Sequence, residues 1–220
     1  MNDAALFCRQ SRLVEPSFRE AEVMVIGAGM VGSWTALLLA RQVHTVSVWD
    51  DDIVSLENLG TQAFNDLDVG LYKVTAIERQ TFGIGNVVVR SRRFPEPGIH
   101  SSPMCEKLFV VSAVDSMEGR RRIAEWCRDE ICDGFIDGRV LGEIAARYFL
   151  TSSEDYDWYL ENKMPSDEDV PPVTCGATGT PYVGMWLASR IVATLNNHCK
   201  GIPERRELVW HVGLNQDIVE

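Results

Sequence analysis

Short apolar runs alternate with amphipathic stretches through the first two thirds of the chain. Residues 22–27 (EVMVIG) form a compact apolar run ending in glycine, and 44–50 (HTVSVWD) alternate apolar and polar positions. Residues 86–91 and 107–114 repeat the apolar character with many β-branched side chains. Each predicts a strand. Between them, 30–42, 67–81 and 116–130 carry apolar residues at helical spacing, with Asp66 or Asp68 as the N-cap of the second. Further short strands are predicted at 132–137, 143–150 and 207–214, and a helix from Pro181, since proline suits a first helical turn. Strand and helix in alternation predict a single α/β domain over 1–220, a Rossmann-like, mixed but mainly parallel sheet with helices on both faces. The stretch 151–172 breaks the pattern. It carries seven carboxylates between Glu154 and Asp169 against the single Lys163, and reads as an acidic crossover loop or lid.

Charge narrows the classes of partner. Twenty-one Lys and Arg against 32 Asp and Glu leave a net charge of −11 over 220 residues. Such a balance disfavours nucleic acid, whose phosphates need clustered cations. No apolar run is long enough to span a membrane, and the N-terminus lacks a signal-peptide core. The six cysteines are scattered, with no C-x-x-C pair, so neither a zinc site nor a disulfide framework is predicted. A cytoplasmic protein with reduced thiols, and no membrane or nucleic-acid partner, is the expectation.

The sharpest local motif is Gly27-Ala28-Gly29-Met30-Val31-Gly32, a G-x-G-x-x-G between a predicted strand and a predicted helix. Gly27 would allow the tight turn, Gly29 the approach of a phosphate to the backbone, and Gly32 close helix–strand packing. Asp50 closes the next strand, where an acid commonly holds a ribose hydroxyl. These residues point to a nucleotide, and alone they suit a dinucleotide as well as a triphosphate.

The series that follows is more specific. Asp50-Asp51-Asp52 leads through Asn58-Leu59-Gly60-Thr61-Gln62 to Gly70-Leu71-Tyr72-Lys73, then to an apolar strand closing on Asp115, and finally to Thr174-Cys175 and Gly179. With Arg9-Gln10 ahead of the glycine turn, the order resembles the ThiF/MoeB-like family of ubiquitin-activating-type adenylyltransferases. The resemblance implies ATP- and Mg2+-dependent adenylation of the C-terminal carboxylate of a ubiquitin-like or sulfur-carrier protein or peptide, releasing pyrophosphate. It implies Lys73 as the phosphate lysine, Asp115 as the Mg2+ carboxylate and Asp50 as the ribose acid. Asn58 and Gln62 fall on the nucleotide side. Arg9 would be donated across a homodimer interface, and Cys175 lies where some relatives carry a thiol used in thioester or persulfide chemistry.

Departures from the family pattern matter. Thr61 stands where the family's N-L-x-R-Q has arginine, which removes a phosphate-directed charge; Arg90, Arg92 or Arg93 are candidates to replace it in space. Ser116 replaces the asparagine after Asp115, and the paired zinc cysteines are absent. Two other readings stay open: a catalytically degenerate nucleotide-binding or scaffold relative, and an NAD(P)-dependent oxidoreductase.

Overall fold

The computed structural model describes residues 7–95, 106–130, 132–166 and 179–218. Eight strands form one sheet in the order β3-β2-β1-β4-β5-β6-β7-β8. β1 (Glu22–Ile26), β2 (Thr45–Trp49), β3 (Asn86–Arg90), β4 (Leu108–Ser112) and the start of β5 (Gly134–Leu141) run parallel. β6 (Ile144–Leu150), β7 (Glu207–His211) and β8 (Gln216–Asp217) continue antiparallel from β5. The helices are α1 (Pro16–Arg19), α2 (Met30–Leu39), α3 (Lys73–Thr81), α4 (Met117–Asp129), α5 (Ser153–Asn162) and α6 (Pro181–Cys199), with 3-10 turns at Cys8–Gln10, Leu56–Gly60 and Asp66–Asp68.

Alternation along each strand builds two cores. In β1, Val23 and Val25 face α2, α3 and α6, joining Leu39, Ile77, Leu187 and Ile191. Met24 and Ile26 face the other way, joining Ile123 of α4 and Tyr156 and Tyr159 of α5. A sheet covered on both faces has few polar positions inside its strands, which is why its central segments read as continuous apolar runs.

Two expectations are corrected. The helix predicted over 67–81 begins only at Lys73. Asn65, rather than Asp66 or Asp68, caps a short 3-10 turn, and Gly70 then adopts φ +87°, which ends any helical path before Lys73. The acidic stretch expected as a loop or lid is helix α5 over Ser153–Asn162. Glu154, Asp157 and Glu161 are exposed and Asp155 is half-buried, while Tyr156 and Tyr159, three apart, are buried against the sheet. Ser152 and Asp155 close a capping box at its start. Residues 167–172 of that stretch lie outside the described residues.

Candidate nucleotide site

The site lies at the carboxyl ends of β1, β2 and β4, the edge where open α/β sheets bind ligands. Two of the three glycines of the turn have a steric reason. Gly27 has φ +91°, and a Cβ there would lie 2.6 Å from the Ala113 carbonyl oxygen. A Cβ on Gly32 would sit 1.8 Å from the Gly27 carbonyl oxygen, so only glycine lets α2 pack on the turn. Gly29 instead faces open space at the start of α2, where backbone N–H groups and the helix dipole favour an anion. Met30, the first residue of α2, is pinned from behind: a Cβ on Gly184 of α6 would come 2.6 Å from its Cγ.

Asp50 ties β2 to the turn. One carboxylate oxygen accepts from the Ala28 N–H at 2.6 Å, the other from the Asp52 N–H at 2.8 Å. Burial pushes its carboxyl above the ordinary carboxylate value, opposed by the Ala28 N–H and by the Lys73 ammonium. Lys73 opens α3 and is buried; its Nζ donates to Asp52 at 2.7 Å and its backbone N–H to the Asp52 carbonyl at 2.9 Å. A strap holds this geometry, with the Val54 N–H on the Leu71 carbonyl at 2.9 Å and a bridge between Ile53 and Tyr72. Lys73 is thereby fixed beside the end of β2.

Asp115 is exposed beyond β4. The residues around it are anchored: Arg120 donates to the Val114 carbonyl, and the Ser116 hydroxyl caps α4 by accepting from the Gly119 N–H at 3.1 Å. Ser116 therefore does at this turn a job that its short hydroxyl is suited to. Arg93, beyond β3, reaches the same edge. Its Nε lies 2.9 Å from an Asp51 oxygen, and Asp52 and Asp115 are close enough to act on it electrostatically.

The other sequence candidates divide. Asn58 is occupied locally, its side-chain oxygen accepting from the Ser55 N–H at 2.9 Å in a capping box. The Gln62 side-chain oxygen is buried without a hydrogen-bond partner, an acceptor still to be satisfied. Arg9 is exposed at the opposite end of the sheet: the flanking Phe7 packs edge-on against His44, just before β2, and the Gln10 amide donates to the Arg41 carbonyl beyond α2. A single chain does not bring Arg9 to the glycine turn. Cys175 lies outside the described residues.

Sequence reading missed a second charged cluster. Asp137 on β5 is fully buried between Arg120 of α4 and Arg139, whose Nε donates to it at 2.5 Å and whose Nη2 donates to the Tyr159 hydroxyl at 3.0 Å. Burial alone would raise the Asp137 carboxyl, but the two guanidiniums hold it below the ordinary value. The D-G-R spacing was a visible signal, and Arg120 reads from the sequence as a residue tying the turn at 115–120; its meeting with Asp137 was not visible, because sheet pairing of Ser112 with Asp137 brings the two together.

A family model for the ThiF family matches residues 11–211. This chain belongs to the ThiF family. Among solved structures it is similar to E. coli MccB with ATP, at TM-score 0.70 and 16% identity over 93% of this chain and 64% of that one. It is also similar to MccB with AMPCPP and MccA, at TM-score 0.68 and 16% identity over 91% and 63%, and to PaaA, at 0.71 and 15% over 99% and 73%. The likeness at these identities is one of fold, and the chain spans 64% of the MccB chain solved with succinimide. In this ThiF-family chain the glycine turn, Asp50 and Lys73 share one strand edge with Asp115. No group of three or more metal-ligating side chains occurs among the described residues, and no described helix is long and apolar enough to cross a membrane.

Proposed function

We propose that this chain transfers AMP from ATP, with Mg2+, to the C-terminal carboxylate of a peptide or of a small ubiquitin-like or sulfur-carrier protein. The observation that carries the reading is the buried Lys73, locked through Asp52 beside Asp50 and the open face of Gly29. In the reaction an oxygen of the acceptor carboxylate attacks the α-phosphorus, the bond from that phosphorus to the bridging oxygen breaks, and pyrophosphate leaves. Two anions must meet, so fixed positive charge lowers the barrier. Lys73 supplies an ammonium group that needs no reorganisation. The Gly29 backbone and the α2 N-terminus fit phosphate and Asp50 fits a ribose hydroxyl, while Asn58 and Gln62 stand on the nucleotide side by the family resemblance. A magnesium ion is commonly held by one or two carboxylates plus substrate phosphates, so the lone Asp115 fits that mode, and the ion would neutralise phosphate charge.

A homodimer is part of the proposal. Arg9 sits at the far end of the sheet from its own glycine turn, so it can serve a site only in another copy. Cys175 as a reactive thiol, and a cytoplasmic location, rest on the family resemblance and the sequence. The nicotinamide reading leaves the buried Lys73 without a task; the degenerate-relative reading rests on Thr61.

Two measurements decide among these. Calorimetric titration should give tighter binding of MgATP than of NADH; the reverse order rejects an ATP site. Pyrophosphate exchange into ATP, run with peptides bearing a free C-terminal carboxylate, should vanish for the same peptides as C-terminal amides. Exchange that ignores the terminus would reject a carboxylate acceptor.

A further inference from the structure

Thr61 leaves the segment after β2 without the cation that the family pattern has there. Asp50, Asp51, Asp52 and Asp115 gather at this edge with Lys73 and Arg93, and Arg90 and Arg92 leave β3 beside them. A triphosphate brings more negative charge to a place already rich in carboxylates, so each fixed cation there counts. Thr61 itself is held by its backbone, its carbonyl accepting from the Trp34 indole at 3.2 Å and its N–H donating to the Asn58 carbonyl at 3.2 Å.

Arg90 closes β3 and is directed elsewhere: its guanidinium lies 5.9 Å from the Trp49 ring centroid and bonds the Val89 carbonyl at 3.1 Å. Arg93 crosses toward the cleft. The next residue, Phe94, is buried, packing edge-on against Trp49 at 5.2 Å and Trp126 at 4.8 Å. Phe94 thus fastens the chain leaving β3 over the end of β2. That anchor leaves the Arg93 side chain 87% exposed while its Nε stays 2.9 Å from Asp51. Among the described residues the Arg93 fork is bonded through Nε alone, and an exposed fork anchored at its root in that way can turn both terminal nitrogens to phosphate oxygens.

We propose that Arg93 supplies the phosphate-directed charge that Thr61 cannot, a role that rests on the ATP reading above. Arg93 reaches the cleft from β3, whereas the arginine absent at position 61 would have come from the segment after β2. The test is calorimetric titration of MgATP and of adenosine into the full chain and its variants. Arg93→Ala should weaken MgATP by roughly tenfold or more, the scale of a charged hydrogen bond, and leave adenosine within about twofold. Arg93→Lys should fall between, since it keeps charge but loses the fork. Adding Thr61→Arg to Arg93→Ala should restore most of the loss, while Arg90→Ala should bind as the parent does. MgATP binding unchanged in Arg93→Ala, or an equal loss for adenosine, overturns the assignment while the ATP reading stands. If the parent chain binds adenosine but not MgATP, both fall together.

Discussion

Two clusters of charge flank the end of β4, and they are built in opposite ways. Arg120 and Asp137 are buried between sheet and helix and Arg139 is half-buried, with each carboxylate oxygen bonded to a guanidinium. Asp51, Asp52, Lys73 and Arg93 sit at the strand edge, where Asp52 and Arg93 have side chains 62% and 87% exposed. Removing one partner from a buried set strands a charge in a poor solvent, whereas an exposed partner is taken over by water. The buried cluster fixes the turn that presents Asp115; the open one keeps its charges available to an incoming anion. Position in the fold, rather than residue type, separates scaffold from site.

The comparison is broken most severely at Asp137. Asp137→Ala should cost about 3–5 kcal/mol in urea unfolding, because the buried Arg120 and the half-buried Arg139 lose their shared carboxylate. Its pH dependence has a definite sign. A carboxyl held below its unfolded value stabilises the fold above about pH 3.9, and that contribution disappears as pH falls through the lower folded value. The parent should therefore lose stability on acidification below that point more steeply than Asp137→Asn.

Ser116→Ala addresses the anchor rather than the charge. Loss of the cap on α4 should cost about 1 kcal/mol in the same unfolding experiment. It should also weaken MgATP less than Lys73→Ala does. A Ser116 variant as stable as the parent would show that Arg120 alone holds the turn.

The smallest stability change is expected at the open cluster. Lys73→Ala should alter stability by about 1 kcal/mol or less, since Asp52 is largely solvated, while weakening MgATP by roughly tenfold or more. Asp51→Asn should shift stability by only a few tenths of a kcal/mol, and by less at high salt. A large loss of stability in either variant would erase the distinction between the clusters.

Most of the parallel half was legible in the sequence because burial on both faces leaves uninterrupted apolar runs that punctuation by glycine and aspartate delimits. The glycine turn was legible because close approach permits so few residues: no side chain fits at Gly27 or Gly32. What escaped depended on pattern under composition or on distant pairing. In α5 the density of carboxylates hid two tyrosines at helical spacing. The start of α3 was set by the φ of Gly70, which propensity over 67–81 does not reveal. The Asn58 side-chain oxygen serves as a local cap, a use that its place in a motif does not reveal. The Arg120–Asp137–Arg139 set required knowing that β4 lies beside β5.

Met30 is held on one side by the glycine turn and on the other by Gly184, with Gly179 against its side-chain tip at 2.8 Å from a Cβ position to Cε. The clearance behind the first turn of α2 is thus governed by two small residues far along the chain. An alanine at 184 would press that methionine toward the amides of the turn. If those amides hold phosphate as proposed, its affinity would be tunable from the back of the wall.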